Sequence, residues 1–184
     1  MTPDELVDLM LTLDPLADLP RTGWLQRGVV PCESIAAHSH GVAMVAMWLL
    51  DHAREADPEC ELDGEKVLRL AVLHDVAEAL SGDIPGPLKS QGLREALAAA
   101  EDDAMGRLLP PAMLVSWREA AACESAEALL VKAADKLHMR IKALVYESRR
   151  GARLDEFFAT KANQDPFIEA VDASIARRRR RVGS

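Results

Sequence analysis

The sequence predicts an all-α fold, and three observations support this. Ala, Leu, Glu and Arg dominate the composition while aromatic residues make up only 4% of the chain, and such residues lose little entropy in a helix. Apolar residues recur at three- and four-residue steps, as on one face of a helix. No stretch shows the period of two that is typical of a half-buried strand. With 184 residues, the chain suits a single compact multi-helix domain over residues 1–184.

Caps and breakers predict where each element begins and ends. A first helix starts at Thr2 or Asp4, whose side chains can cap it, and runs to about Leu16. Pro and Gly mark residues 19–31 as a loop. A long helix capped near Cys32 or Ser34 follows, and a cluster of Gly and Pro ends the third helix. The later helices are expected over about Glu33–Ala56, Gly64–Leu80, Leu93–Leu108, Pro110–Ala122, Ser125–Arg149 and Gln164–Arg179.

Charge, cysteine spacing and hydropathy exclude several classes of protein. The formal net charge of −8 argues against a nucleic-acid polymer as partner, since such a protein needs a basic surface. The spacing of Cys32, Cys60 and Cys123 disfavours a disulfide framework. The longest apolar run, Val42–Leu50, is too short to span a bilayer, so no membrane partner is expected. Acids near Met1 replace the positive charge of a signal peptide, which predicts a cytoplasmic location.

Two histidines and two aspartates stand in apolar helical surroundings. His74 and Asp75 are adjacent, and burying both is costly unless a partner compensates them. Glu78 lies one turn beyond His74 and shares its helix face. His38 lies on the apolar stripe of the preceding helix, and Asp135 lies on a largely apolar strip further along. Together these ligand types suit a borderline divalent metal ion.

This set of residues predicts metal-assisted hydrolysis. A divalent metal with open positions can polarise a phosphoryl oxygen and acidify a water. Glu78 is close to the ligands without being needed as one, so it is the natural general acid or base. Asp83, in a loop bounded by Gly and Pro, is well placed to touch a substrate hydroxyl. Taken singly, His38 or Asp135 would be interpreted as a core residue; the prediction depends on all of them together.

Further short sequence motifs surround these residues along the chain. They are Arg21-Thr22-Gly23-Trp24, Glu33-Ser34, His38-Ser39, His74-Asp75-Val76-Ala77-Glu78, Gly82-Asp83-Ile84-Pro85 and Ala134-Asp135-Lys136. Together they resemble the HD-domain metal-dependent phosphohydrolases, and within them the 5′-deoxynucleotidase branch. The match runs from about Arg21 to Met139, inside a motif-bearing core of about residues 21–149. A C-terminal helix and basic tail over about residues 164–184 follow this core.

The resemblance implies a fold, a reaction and a set of site residues. The fold would be an all-α HD domain with the metal site between helices, and the protein would be a homodimer. The reaction would convert deoxyribonucleoside 5′-monophosphates to nucleoside and phosphate. One divalent metal ion per chain (Mn, Co, Zn, Fe, Ni or Mg) would be held by His38, His74, Asp75 and Asp135. Glu78 would transfer a proton, Asp83 would contact the sugar and Trp24 would line the substrate pocket.

A bound phosphate needs a cation besides the metal. Arg21 is the first choice for this role, and Arg27 and Lys89 are further candidates. Some relatives place an Arg directly before the pocket Trp24, whereas this chain has Gly23 there.

The chain departs from the family pattern near the first and last ligands. Ala37 and His40 replace an acid and an aromatic residue that relatives carry beside the first ligand, and His40 is expected at the surface. His138 stands where an acid is common, and two roles stay open for it: support of the ligands from behind, or packing.

Two other features favour structural roles. The run Arg177–Arg181 closes a predicted helix, where cations interact well with the C-terminal dipole. Met44, Met47 and Trp48 are expected to pack in the core or at a dimer contact.

Three alternative functions remain. The chain could hydrolyse another phosphorylated metabolite, hydrolyse nucleoside di- or triphosphates, or bind a nucleotide and a metal without catalysis. Binuclear HD proteins need further His ligands between the HD pair and the last Asp. No His occurs between His74 and His138, which favours a mononuclear site.

Overall fold

A computed structural model describes residues 2–159 and 166–182, and helices account for most of them. Short 3-10 turns at Asp14–Ala17 and Gly86–Leu88 join some of the helices. The described residues form no strand, only an isolated bridge between Pro20 and Ser34. The all-α prediction is therefore confirmed. The helices are α1 (Pro3–Leu13), α2 (Thr22–Leu25), α3 (Ile35–Ala56), α4 (Gly64–Leu73), α5 (Glu78–Ser81), α6 (Gln91–Leu108), α7 (Pro111–Ala122), α8 (Ala126–Arg150), α9 (Glu156–Ala159) and α10 (Pro166–Val182).

Side-chain caps define the starts of the long helices. Thr2, not Asp4, caps α1, and its hydroxyl accepts a hydrogen bond from the backbone of Glu5. Ser34, not Cys32, caps α3. Ser125 caps α8 in the same way. These caps satisfy backbone N–H groups that have no partner within their helices.

The predicted third helix does not continue to Leu80. Helix α4 ends at Leu73, a turn covers residues 74–77, and α5 begins at Glu78. In this turn the backbone N–H of Glu78 donates to the carbonyl of Asp75 at 3.1 Å, three residues back. Such bonds wind the chain more tightly than an α-helix and change the direction in which successive side chains project. The break places the His74-Asp75 pair at a helix end.

Two short helices occur where none was predicted, and other bounds shift. Helix α2 lies within the expected loop over residues 19–31, and α9 precedes the final helix. Helix α1 ends before Leu16, because Pro15 lacks the N–H that an α-helix requires. Residues 164 and 165, at the predicted start of the last helix, and Gly183 and Ser184 of the basic tail lie outside the described residues.

The core forms where α3, α4 and α8 meet. Val42, Leu70 and Leu137 are buried at its centre, and Ile168 of α10 packs against it. A second cluster around Met105 joins α1, α6 and α7. A third cluster, which includes Trp24 and Tyr146, holds α2 against the C-terminal half of α8. The candidate ligands lie on α3, on α8 and in the turn that follows α4. The first cluster holds these elements together.

The structure locates the residues for which the sequence predicted a surface or structural role. His40 is exposed, as expected, and Arg177–Arg181 lie in the last turns of α10. Met44, Met47 and Trp48 are exposed by 55%, 42% and 56%, so they do not pack in the core of this chain. Their predicted role in a dimer contact stays a prediction. None of the described helices is both long enough and apolar enough to cross a membrane.

Candidate active site

The four predicted metal ligands meet where three elements come together: helix α3, helix α8 and the turn that follows α4. Ligand atoms of His38, His74 and Asp135 lie within 4.8 Å of one another. Nε2 of His38 is 3.2 Å from Oδ1 of Asp135 and 3.7 Å from Oδ2 of Asp75. Nε2 of His74 is 3.2 Å from the same Asp75 oxygen. Residues separated by about a hundred positions thus present donor atoms to one small volume.

The residues present fit a metal ion. Nε2 of His38 and Nε2 of His74 are buried, and neither forms a hydrogen bond of acceptable geometry with any described residue. A buried polar atom without a partner costs free energy. Two imidazole nitrogens and two carboxylates in one place are the ligand types of a borderline divalent cation, and a cation would give both nitrogens a partner.

The charges of the site also favour a cation. Burial disfavours a charged imidazole at His74, but the neighbouring Asp75 outweighs this and raises the pKa of His74 to about 9. Burial opposes ionisation of Asp75, yet His74 and Arg21 lower its pKa to about 2. The pKa of Asp135 is also held below its ordinary value, since His38 outweighs the effect of burial. The carboxylates therefore stay ionised and attract positive charge.

Arg21 links the ligands to the predicted proton-transfer residue. Its Nη1 lies 3.0 Å from Oδ2 of Asp75, 3.2 Å from Oε2 of Glu78 and 3.6 Å from Oδ1 of Asp83. Burial and the Asp75 carboxylate raise the pKa of Glu78 to about 8. At neutral pH Glu78 can therefore hold a proton beside the candidate ligands, as a general acid requires.

Asp83 connects two loops of the site. Its Oδ2 accepts a hydrogen bond of 2.7 Å from the backbone N–H of Thr22, at the start of α2. Its other oxygen faces Arg21. Asp83 thus holds α2 against the segment after α5, which keeps Arg21 near the carboxylates.

A cavity of about 500 Å³ opens in front of three of the candidate ligands, His38, Asp75 and Asp135. This volume is in the range of small-molecule sites. A larger cavity of about 710 Å³ lies between α8 and α10, but it borders none of the four candidate ligands. The smaller cavity is the better candidate for the substrate site because three candidate metal ligands line it. Its lining includes the predicted substrate-binding and catalytic residues Arg21, Trp24, Arg27, Glu78, Asp83 and Lys89.

Trp24 forms a rigid wall of this cavity. It is only 3% exposed. Its ring stacks on Phe157 with centroids 4.3 Å apart, and its other side meets Tyr146 edge-on at 5.2 Å. Its indole N–H donates a 3.0 Å hydrogen bond to Glu33. Trp24 and Phe157 both line the cavity, and these contacts hold the Trp24 ring in place.

The mouth of the cavity is closed on one side by an ion pair. Arg27 pairs with Glu156 of α9, and both side chains are about half exposed. Lys136 also lines the cavity, with Nζ 3.3 Å from Oδ2 of Asp135. Four cations, at positions 21, 27, 89 and 136, are thus available around the same space.

Sequence reasoning assigned no role to several residues that the structure brings to the site. Phe157 and Glu156 reach the cavity from α9, for which no motif was recognised. Lys136 and Glu33 belong to the motifs Ala134-Asp135-Lys136 and Glu33-Ser34, and their place in those motifs is the signal that could have identified them. His138, for which the sequence left support of the ligands and packing as open roles, packs behind His38, and burial lowers its pKa to about 4.

A protein-family model and known proteins resemble this chain over most of its length. The family model described as "HD domain" matches residues 13–171. The curated protein "5′-deoxynucleotidase HDDC2" of Xenopus laevis is 32% identical, over 90% of this chain and 82% of its own length. The human protein of the same name is 30% identical, over 94% of this chain and 86% of its own length.

Solved structures have the same architecture. A crystal structure of a protein from Pyrococcus horikoshii superposes with a TM-score of 0.78, at 35% identity, over 94% of this chain and 99% of that chain.

Proposed function

The chain belongs to the HD-domain family, and we propose that it hydrolyses deoxyribonucleoside 5′-monophosphates to nucleoside and phosphate in a metal-dependent reaction. The observation that carries this proposal is the convergence of two ionised carboxylates and two buried histidine nitrogens that form no hydrogen bond with a described residue, with Glu78 alongside; His38, Asp75 and Asp135 of this set border the cavity. The relatives named 5′-deoxynucleotidase support the substrate class.

We propose His38, His74, Asp75 and Asp135 as the ligands of one divalent metal ion per chain. Manganese, cobalt, zinc, iron, nickel and magnesium are the candidates; the mixed nitrogen and oxygen set argues against calcium. When bound, the ion would supply Lewis acidity toward a phosphoryl oxygen and a water. Asp75 has a second contact, since Oδ2 lies 3.0 Å from Arg21, which restricts the orientation of its carboxylate.

Glu78 is proposed as the group that moves the proton. Its protonated form at neutral pH can deliver a proton to the leaving 5′-oxygen of the nucleoside, and the resulting carboxylate would be stabilised by Arg21 at 3.2 Å. Arg21 therefore matters in both protonation states of Glu78. Lys89 lowers the pKa of Glu78 by its charge and lies on the same cavity wall.

The remaining pocket residues are proposed to hold the substrate. Asp83 borders the cavity through the same carboxyl group that anchors Thr22, so it can reach a sugar hydroxyl while keeping α2 in place. Trp24 and Phe157 offer an apolar wall to the nucleoside. Arg21, Arg27 and Lys89 are the predicted cations for the phosphate, and Lys136 joins them.

The first experiment measures phosphate release from a panel of deoxyribonucleoside and ribonucleoside 5′-monophosphates. Metal-stripped protein is reloaded in turn with each candidate ion. Di- and triphosphates and unrelated phosphomonoesters complete the panel. We expect metal-dependent release from the deoxyribonucleoside 5′-monophosphates, with the reaction lost when Asp135→Ala removes one ligand.

The panel also separates the alternatives. Pyrophosphate or triphosphate as product would indicate a di- or triphosphate hydrolase, and preference for another ester would indicate another metabolite. No release with any ion, in protein shown to contain metal, would contradict the enzymatic proposal and favour a binding module.

A homodimer and a cytoplasmic location are proposed together with this activity. The exposed apolar side chains of Met44, Met47 and Trp48 on α3 support a contact between two copies. Light scattering on the protein and on Trp48→Ser tests the dimer; a monomeric mass for the unsubstituted protein would contradict it.

A further inference from the structure

His138 lies directly behind the candidate ligand His38. The two Nδ1 atoms are 3.1 Å apart, which is a hydrogen-bonding distance. Both rings are almost fully buried, with 1% exposure at His38 and 8% at His138. Glu33, the other polar group near this face of His38, is more distant, with Oε1 3.8 Å from Nδ1. His138 is therefore the hydrogen-bonding partner of His38 on the side opposite the candidate metal.

Only one arrangement of protons satisfies both sides of His38. A neutral imidazole carries one proton, and a nitrogen that binds a metal must offer its lone pair. If Nε2 of His38 faces the metal, the proton of His38 is on Nδ1. The facing Nδ1 of His138 must then be the acceptor, and the proton of His138 is on its Nε2. That nitrogen faces Glu33, with Oε2 at 4.0 Å.

We propose that His138 is a positioning residue: its Nδ1 accepts a hydrogen bond from His38 and holds that ring in the tautomer and orientation that leave Nε2 free for the metal. The inference rests on the metal site of the proposed function and deepens it. Ligating histidines commonly donate their second N–H to a carboxylate, a carbonyl or water. Here a second histidine takes that place.

Gly41 makes room for this arrangement. It lies one turn after His38 on α3, and the ring of His138 packs against its backbone. A Cβ atom at position 41 would be 2.0 Å from Nε2 of His138, far inside van der Waals contact. Any other residue at position 41 would force the ring of His138 out of the position in which it contacts His38. The glycine and the histidine therefore act as a pair, one on α3 and one on α8.

Glu33, His38 and His138 together form a poor site for a second metal ion. Glu33, His38 and His138 have ligand atoms close enough to hold an ion. However, one carboxylate oxygen of Glu33 accepts the indole N–H of Trp24, and the other lies 3.3 Å from Nζ of Lys142. An ammonium group so close would repel a second cation. The geometry therefore indicates a hydrogen bond, and one metal ion per chain.

Metal affinity tests the proposal without reference to activity. Metal-stripped full-length protein is titrated with Zn²⁺ in competition with a chelating dye. For His138→Leu, which has no acceptor, we expect the dissociation constant to rise about 10–100-fold. His138→Gln keeps an acceptor and should stay closer to the unsubstituted protein. Gly41→Ala should also raise the dissociation constant for Zn²⁺, toward the value for His138→Leu, although this substitution removes no polar group. His40→Leu, the same substitution at an exposed position of α3, is the matched control.

The outcomes separate this inference from the proposed function. Equal affinities for His138→Leu and His40→Leu would overturn the positioning role, and two Zn²⁺ ions per chain would replace it with a second metal site. An unsubstituted protein that binds no Zn²⁺ would instead contradict the metal site itself. Imidazole ¹⁵N NMR of the unsubstituted protein remains decisive even if a variant fails to fold. We expect the proton of His138 on Nε2; finding it on Nδ1 would overturn the inference.

Discussion

Arg21 donates a hydrogen bond from Nη1 to Oε2 of Glu78 across 3.2 Å, although 57 positions separate the two residues. The same nitrogen lies 3.0 Å from Asp75. One guanidinium thus contacts a proposed metal ligand and the proposed proton-transfer group. The sequence suggested Arg21 as the first cation for phosphate; its contacts in the structure are with carboxylates, so it arranges the site before any substrate arrives.

Substitution of Arg21 should destabilise the protein. Arg21→Met leaves the carboxylates of Asp75, Glu78 and Asp83 without their shared cation. Removing one partner of a largely buried pair costs about 3 kcal/mol, and we expect a loss of this size in urea unfolding of the metal-free protein. The control is Arg107→Met, because Arg107 and its partner Asp103 are 70% and 64% exposed; exposed pairs contribute about 0–1 kcal/mol. Equal losses for the two variants would contradict the role of Arg21.

The raised pKa of Glu78 should make the metal-free protein less stable as pH rises. The carboxyl ionises near its ordinary pKa of 4.5 in the unfolded chain and at about 8 in the folded protein. Between these values the folded state binds the extra proton, so the free energy of unfolding falls with increasing pH. Glu78→Gln removes this contribution. Its stability relative to the unsubstituted protein should rise from pH about 4.5 to about 8, and a pH-independent difference in urea unfolding would contradict the shift.

Metal removal should lower the melting temperature. A ligand at a thousandfold excess over its dissociation constant stabilises the folded state by about 4 kcal/mol, which corresponds to about 10 °C for a protein of this size. Differential scanning fluorimetry with each candidate ion, before and after a chelator, measures the shift. Asp135→Ala should lose the response to metal and chelator. A shift that persists in this variant would show that the ions act elsewhere.

Phe157 should affect substrate binding more than turnover. It stacks on Trp24 at 4.3 Å in the wall of the cavity. An aromatic contact between Phe157 and the base of the proposed substrate would contribute about 0.5–1.5 kcal/mol, so Phe157→Ala should raise KM about 2–10-fold with little change in kcat. The control is Phe158→Ala, since the neighbouring Phe158 lines the other cavity and packs under Arg179. A fall in kcat with unchanged KM would contradict this assignment.

The helical architecture was accessible from the sequence because its signals are local. Serines and a threonine capped the helices as expected, and apolar periodicity located α3 and α8 within a few residues. The failures are at short elements. Helices α2, α5 and α9 have four residues each, too few for a periodic pattern, and they depend on contacts such as the hydrogen bond between Thr22 and Asp83. The single-domain organisation over residues 1–184 stays a prediction.

By itself the sequence determined which residue types could form a metal site, because His38, His74, Asp75 and Asp135 stand in apolar surroundings that a buried charge tolerates only with a partner. Only the tertiary structure decided how those residues are supported. The contacts of Arg21 with three carboxylates and of His138 with His38 join segments far apart in the chain. No local pattern specifies such contacts, since they arise only when α2, α3, α8 and the segment after α4 pack together and place the side chains of distant residues face to face.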